Sequence, residues 1–204
     1  KVLPSFRPDK ATEIEKGQAF VDWIKKLEKG VGYSIGNFEL LVKALKERHT
    51  YFHEVGCRIS DHGHNTFYGK EYTSTEVNVI FKRGLKGEKV SNFEINKYKS
   101  ALLYELALMN KSRSWTQQFH VGAIRNNNVK MLQSIGPDQG YDSIGDLNMA
   151  DSMSKFFGKL SESDGLANTI VYNLNPRDSE MFASMAANFN DGLVAGKMQY
   201  GAAW

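Results

Sequence analysis

The sequence holds a single cysteine, Cys57, and so cannot close a disulfide within the chain. A lone thiol fits a reducing compartment, and the cytoplasm is the expected setting. No apolar run approaches the roughly 20 residues that a bilayer span needs, so no membrane association is expected. No signal-peptide pattern is read at the start either. A surplus of charge is missing as well. Lys and Arg number 26 against 23 Asp and Glu, a net charge of +3. The basic residues are scattered among acidic ones rather than massed, which argues against a nucleic-acid partner. A dinucleotide fingerprint is also absent: Gly30-x-Gly32-x-x-x-Gly36 has the wrong spacing and follows a helix rather than a strand, so no nucleotide cofactor is expected.

What is present is enough apolar material for one domain, 41% of 204 residues. The chain opens on Lys1-Val2-Leu3 without a Met and stops at Trp204 directly after an apolar run, so both ends read as cut from something longer. Lys1 to Phe6 reads as a strand. A helix follows, with Ile14, Val21, Ile24 and Leu27 on one stripe. A second helix runs from Asn37, a suitable N-cap, to about Glu54. Gly56 to Ser60 reads as a strand with Asp61, His62 and Gly63 as its exit. Helices are expected over Thr73 to Lys86 and Asn92 to Met109, then a strand from Trp115 to Val121 and a polar loop after Asn128. A helix from Met149 to Leu160, a strand from Thr169 to Asn173, a helix from Asp178 and a last strand from Lys197 to Ala203 complete the chain.

Strands alternating with helices predict an α/β fold with parallel strands. The strands show one apolar and one mixed face. A doubly wound sheet buries both faces and would read more uniformly apolar. A (β/α)8 barrel, whose inner face carries site residues at its mouth, fits better, but it takes about 250 residues and eight strands. About five strands are legible here, which predicts part of a barrel.

Three histidine patterns invite a metal reading. His49 and His53 lie one turn apart on a helix, with no third ligand near in sequence. His62-Gly63-His64 imitates a His-x-His pair, but its place after the strand makes it read as a loop coincidence. The third is His120, in Trp115-Thr116-Gln117-Gln118-Phe119-His120-Val121-Gly122-Ala123-Ile124-Arg125-Asn126-Asn127-Asn128. There Gln118 and His120 point one way, Phe119 and Val121 the other, before the chain spills into a polar turn. Ligands of parallel α/β folds sit beyond such carboxyl ends. Ser152-Met153-Ser154-Lys155 has the Ser-x-x-Lys spacing of a penicillin-binding site without its companion motifs, and Met153 belongs to a core stripe.

The 115–128 run, Leu3 to Ala11, Gly56 to Gly63, Gly136-Pro137-Asp138, Tyr172 to Pro176 and Gly201 to Trp204 together carry a resemblance. The chain resembles the uronate (glucuronate) isomerases, a divergent branch of the amidohydrolase superfamily, over essentially its whole length. The resemblance implies a (β/α)8 barrel that interconverts D-glucuronate with D-fructuronate and D-galacturonate with D-tagaturonate. It aligns these strands with barrel strands three to seven. The family's first strand, with a metal-binding His-x-His, is then expected before Lys1, and its last beyond Trp204. Residues 1–204 are thus expected to form a single incomplete barrel domain, with a helical excursion at about 64–114.

For an aldose–ketose isomerase of hexuronates, the resemblance places Asp61 and His120 among the catalytic groups. Arg7, His62, Arg125 and Trp204 become the substrate contacts. Arg suits the uronate carboxylate because its planar fork binds both oxygens. His120 stands where superfamily hydrolases place a metal ligand, so a divalent metal such as zinc is the expected cofactor, with His120 holding it. The partners expected are a hexuronate and, among macromolecules, a second copy of the chain. Two other readings stay open: a metal-dependent hydrolase of the same superfamily, and an inactive fragment.

Overall fold

The computed structural model describes residues 2–201. Helix α1 covers Gln18–Val31 and α2 covers Phe38–Glu54; strand β1, Ile59–His64, follows. Two helices, α3 (Ser74–Leu85) and α4 (Asn92–Ser112), separate it from β2, Thr116–Val121. The chain then makes a small antiparallel pair, β3 (Ala123–Ile124) and β4 (Ser143–Ile144), around the short helix α5 (Val129–Ile135). Helix α6 (Ala150–Glu162), β5 (Asn168–Asn173), α7 (Ser179–Asn188) and β6 (Met198–Tyr200) complete it.

Among the described residues, β1, β2, β5 and β6 pair in that order, all parallel. Sequential order without reversal is that of a barrel wall, not of a doubly wound sheet. Phe6 continues the wall beyond β1: its N–H donates to Ile59 O and its carbonyl accepts from Asp61 N. Of the strand expected over Lys1 to Phe6, Lys1 lies outside the described residues and the rest shrinks to one bridge. Pro4 has no N–H to offer a ladder, and Val2 is fully exposed.

The N-cap expected at Asn37 is present. Asn37 accepts from Leu40 N at the start of α2. Thr73 and Ser91 each close a reciprocal box with Glu76 and Glu94. Other expectations need correction. The first helix begins at Gln18, not Ile14, because Gly17 takes φ +56° and breaks its path; Ile14 sits in a separate 3-10 turn. Strand β1 starts later and runs further than expected, so Asp61, His62, Gly63 and His64 are strand residues rather than an exit loop. The polar loop after Asn128 contains α5, which Asn128 caps by accepting from Met131 N. Of the last strand, Ala202 to Trp204 lie outside the described residues.

The sheet has two chemically distinct faces. On the outer one, Phe119 of β2 packs among Phe67, Phe156 and Phe157, with ring centroids 5.5 to 5.9 Å away. Nearer the strand starts, this face carries a buried polar ladder. Gln117 Nε2 donates to Thr169 Oγ1 at 2.9 Å, and Asn110 Nδ2 donates to Ser60 Oγ at 2.9 Å. Asn110 Oδ1 in turn accepts from His49 Nε2 at 3.2 Å. His49 stacks on buried Trp115 at 3.8 Å, and the Trp115 indole N–H donates to His53 Nδ1 at 3.0 Å. The two histidines of α2 are therefore engaged by one tryptophan, not poised for an ion.

Candidate active site

The register of β1 on β2 sets Asp61 beside Gln118 and Gly63 beside His120; β5 adds Ile170 and Tyr172 to the same rows. Side chains alternate along a strand, so Asp61, Gln118, His120 and Tyr172 share the inner, partly open face. Asp61 is its hub. One carboxylate oxygen meets His120 Nδ1 at 2.6 Å and the other accepts from Arg7 Nη1 at 2.9 Å. A carboxylate carries no proton to give, so Nδ1 is the donor and Nε2 is the basic atom of the neutral ring. The imidazole lies flat on Tyr172, with centroids 4.4 Å apart and planes 3° from parallel. Tyr172 Oη accepts from Gln118 Nε2 at 3.0 Å. Hydrogen bond and stack together fix both the ring plane and the tautomer of His120.

A second cluster stands at the strand ends. Asp9 Oδ2 accepts from Gly63 N at 2.8 Å and from Arg7 Nε at 3.2 Å. Its Oδ1 lies 2.8 Å from His62 Nδ1 and 3.8 Å from His64 Nε2. Burial pushes the Asp9 pKa upward, yet the hydrogen bond from His62, the charge of the two histidines and the Gly63 N–H together carry it well below the usual carboxylate range. Burial drives His64 the other way, down to about 4 against the pull of Asp9. At neutral pH His64 is then uncharged, so the bonds from His62 and Gly63 do most of the work on Asp9.

Arg7 and Arg125 converge above Gly63. A Cβ built at Gly63 would stand 2.2 Å from Arg7 Nη2 and 3.7 Å from Arg125 Nη2. Glycine is required here for close approach of the guanidinium. Arg125 is also held by Asp142 at 2.8 Å and lines a cavity of about 380 Å³ with Asp9, Gly63, His64 and Lys99.

The structure thus gathers Arg7, Asp61, His120 and Arg125 at one end of the sheet. It turns His62 the other way: 1% exposed, stacked on Phe119 and bonded to Asp9. The expected contact of His62 with substrate gives way to a role beside Asp9, since odd and even residues of β1 face opposite sides. Trp204 lies outside the described residues. His120, expected to hold a metal, belongs to no group of three ligating side chains among the described residues; the one such group is Asp9, His62 and His64. Sequence reasoning missed Asp9, Gln118 and Tyr172 as site residues. The faces of Gln118 and Tyr172 were legible, but the stacking was not. Asp9 follows a proline in an irregular stretch, where no periodicity points.

Known proteins resemble the chain over its whole length. The family profile described as glucuronate isomerase matches residues 1–204. A uronate isomerase of Cellvibrio japonicus is 46% identical over 203 residues, covering 100% of this chain and 43% of its own length. One from Bacteroides thetaiotaomicron is 47% identical over 204 residues, with 100% and 44% covered. Among solved structures, a uronate isomerase from Thermotoga maritima matches with a TM-score of 0.89 at 27% identity, over 99% of this chain and 43% of that one. A glucuronate isomerase from Caulobacter crescentus matches with a TM-score of 0.86 at 23% identity, over 100% and 41%. The sheet is accordingly part of a (β/α)8 barrel, and the chain spans less than half the length of the curated relatives it matches.

Proposed function

Since the chain belongs to the glucuronate isomerase family, we propose that it supplies one side of an active site that isomerises hexuronates between aldose and ketose forms. The substrates are D-glucuronate with D-fructuronate and D-galacturonate with D-tagaturonate. The observation that carries this reading is the Arg7–Asp61–His120 relay on the inner face. Isomerisation moves a proton between C2 and C1 and shifts hydroxyl and carbonyl character between them. An imidazole with its tautomer fixed by Asp61 presents a basic nitrogen that binds a sugar hydroxyl and holds or passes its proton. Tyr172 and Asp61 keep that nitrogen aimed, so little reorganisation is left for the reacting step. Arg7 and Arg125 form the carboxylate clamp, because two guanidinium groups over one glycine offer several N–H donors to one anion. The names of the relatives support isomerisation over the hydrolase reading.

Among the described residues no group of three ligating side chains includes His120, so a metal on this inner face would take further ligands from outside them. No described helix is long and apolar enough to cross a membrane, and the buried thiol of Cys57 supports a reducing, cytoplasmic setting. A second copy of the chain is the proposed macromolecular partner.

The test is Arg7→Met in a protein that carries this chain at the full length of its relatives. Loss of a charge-assisted pair should raise KM for D-glucuronate about ten- to a hundredfold. A neutral sugar of the same stereochemistry should lose several-fold less. Equal losses on both would remove Arg7 from the clamp.

A further inference from the structure

We infer that Asp9, His62 and His64 form a divalent-cation site of the zinc type on the outer lip of β1, separate from the inner face that carries His120. His62 and His64 stand two apart on one strand, so both leave the same side of the sheet. Their rings lie within 10° of parallel, and Asp9 closes the group from the segment before α1. One ligand atom from each residue lies within 4.8 Å of the others. Two imidazole nitrogens and a carboxylate oxygen are a donor set that zinc takes, with one position left for water.

The Asp9 and His62 contacts need no ion to explain them. Asp9 is satisfied by His62, Gly63 N and Arg7. His64 is placed differently. Its Nε2 is buried and has no hydrogen-bond partner, although Asp9 Oδ1 is 3.8 Å away. Buried polar atoms are rarely left so. At about 2.1 Å from each donor, an ion in tetrahedral geometry sets its ligands roughly 3.4 Å apart. The observed 2.8 and 3.8 Å from Asp9 Oδ1 bracket that spacing, and the two ring nitrogens lie within 4.8 Å of each other, so side-chain shifts of about half an ångström to an ångström would close the site. The cavity of about 380 Å³ lined by Asp9 and His64 gives the entry path and the room for water.

Binding would displace the Nδ1 proton of His62 to solvent and replace the His62–Asp9 hydrogen bond with two metal–ligand bonds. The ion would tie the Arg7-Pro8-Asp9 segment to β1 and so hold Arg7 in place. Its function is structural, and it does not depend on the isomerase reading.

The test titrates metal-stripped protein with Zn²⁺ in a calorimeter, at the full length of the relatives and without substrate. One equivalent that weakens more than about tenfold in His64→Gln and in Asp9→Asn, yet survives His120→Ala, is the expected result. Circular dichroism checks that each variant is folded. Anomalous diffraction at the zinc edge of the unmutated protein gives a readout free of any variant: the expected peak lies between His62 Nδ1 and His64 Nε2. No peak there, or binding that His64→Gln leaves unchanged, overturns the site.

Discussion

Gly63 lies between two functions at once. Its N–H helps hold the Asp9 carboxylate, and its missing side chain leaves room for Arg7 Nη2. The backbone there is ordinary strand, so Gly63→Ala adds steric bulk without conformational strain. The new methyl must push the Arg7 guanidinium off Asp61. Expected is a rise of about tenfold in KM for D-glucuronate, the scale of one charge-assisted hydrogen bond, with thermal stability nearly unchanged. A variant with native KM and a strongly lowered Tm would show that Gly63 serves packing instead. At this scale the sequence told half the story. Strand alternation correctly put His120 and Gln118 on one face, because period two is a local property of the backbone. The partnership of Asp61 with both Arg7 and His120 depends on long-range register, which no local pattern encodes.

Strand β2 is the element on which both faces rest. Its inner side aims His120, and its outer side anchors the wall through Phe119. Phe119→Ala would empty a site enclosed by four aromatic rings and should cost about 3–5 kcal/mol, measured by denaturant unfolding. A loss below about 1 kcal/mol would mean that the outer helices do not depend on this contact. Helices with apolar stripes in register were legible: α2, α3, α4 and α6 fall within a few residues of their expected bounds. Helix α5 was not, since it is only 7 residues long and buries none of them. Strand β1 was placed too early because its C-terminal half, Asp61-His62-Gly63-His64, is polar and glycine-bearing. Its pairing with β2 overrides that weak propensity.

Across the whole molecule, the buried ladder couples α2, α4 and three strands, with Asn110 at its centre and His49 at its end. Burial holds His49 down to about 4, opposed by its bond to Asn110 and aided by Arg113 and His53. The folded chain therefore refuses a proton that the unfolded chain takes up near its ordinary value of 6.5. Stability is intact above that value, falls as pH drops from 6.5 towards 4, and levels off below. The loss from this residue is roughly 3 kcal/mol. His49→Gln, which keeps a donor for Asn110, should make that acid limb shallower in a series of thermal melts, the remainder falling to His64, which burial also holds at about 4. An acid limb as steep as in the unmutated protein would assign it to other groups. The barrel-like order of strands was legible from element alternation, whereas the borders of the sheet among the described residues, at Phe6 and β6, follow from pairing alone.

The most direct test of the proposed site is the turnover of D-glucuronate by His120→Ala, followed by NMR in a protein carrying this chain at the full length of its relatives. Removing a positioned proton-transfer group should lower kcat by about a hundredfold or more, with native circular dichroism retained. A kcat within about twofold of the unmutated protein would contradict the Arg7–Asp61–His120 relay as the centre of the reaction.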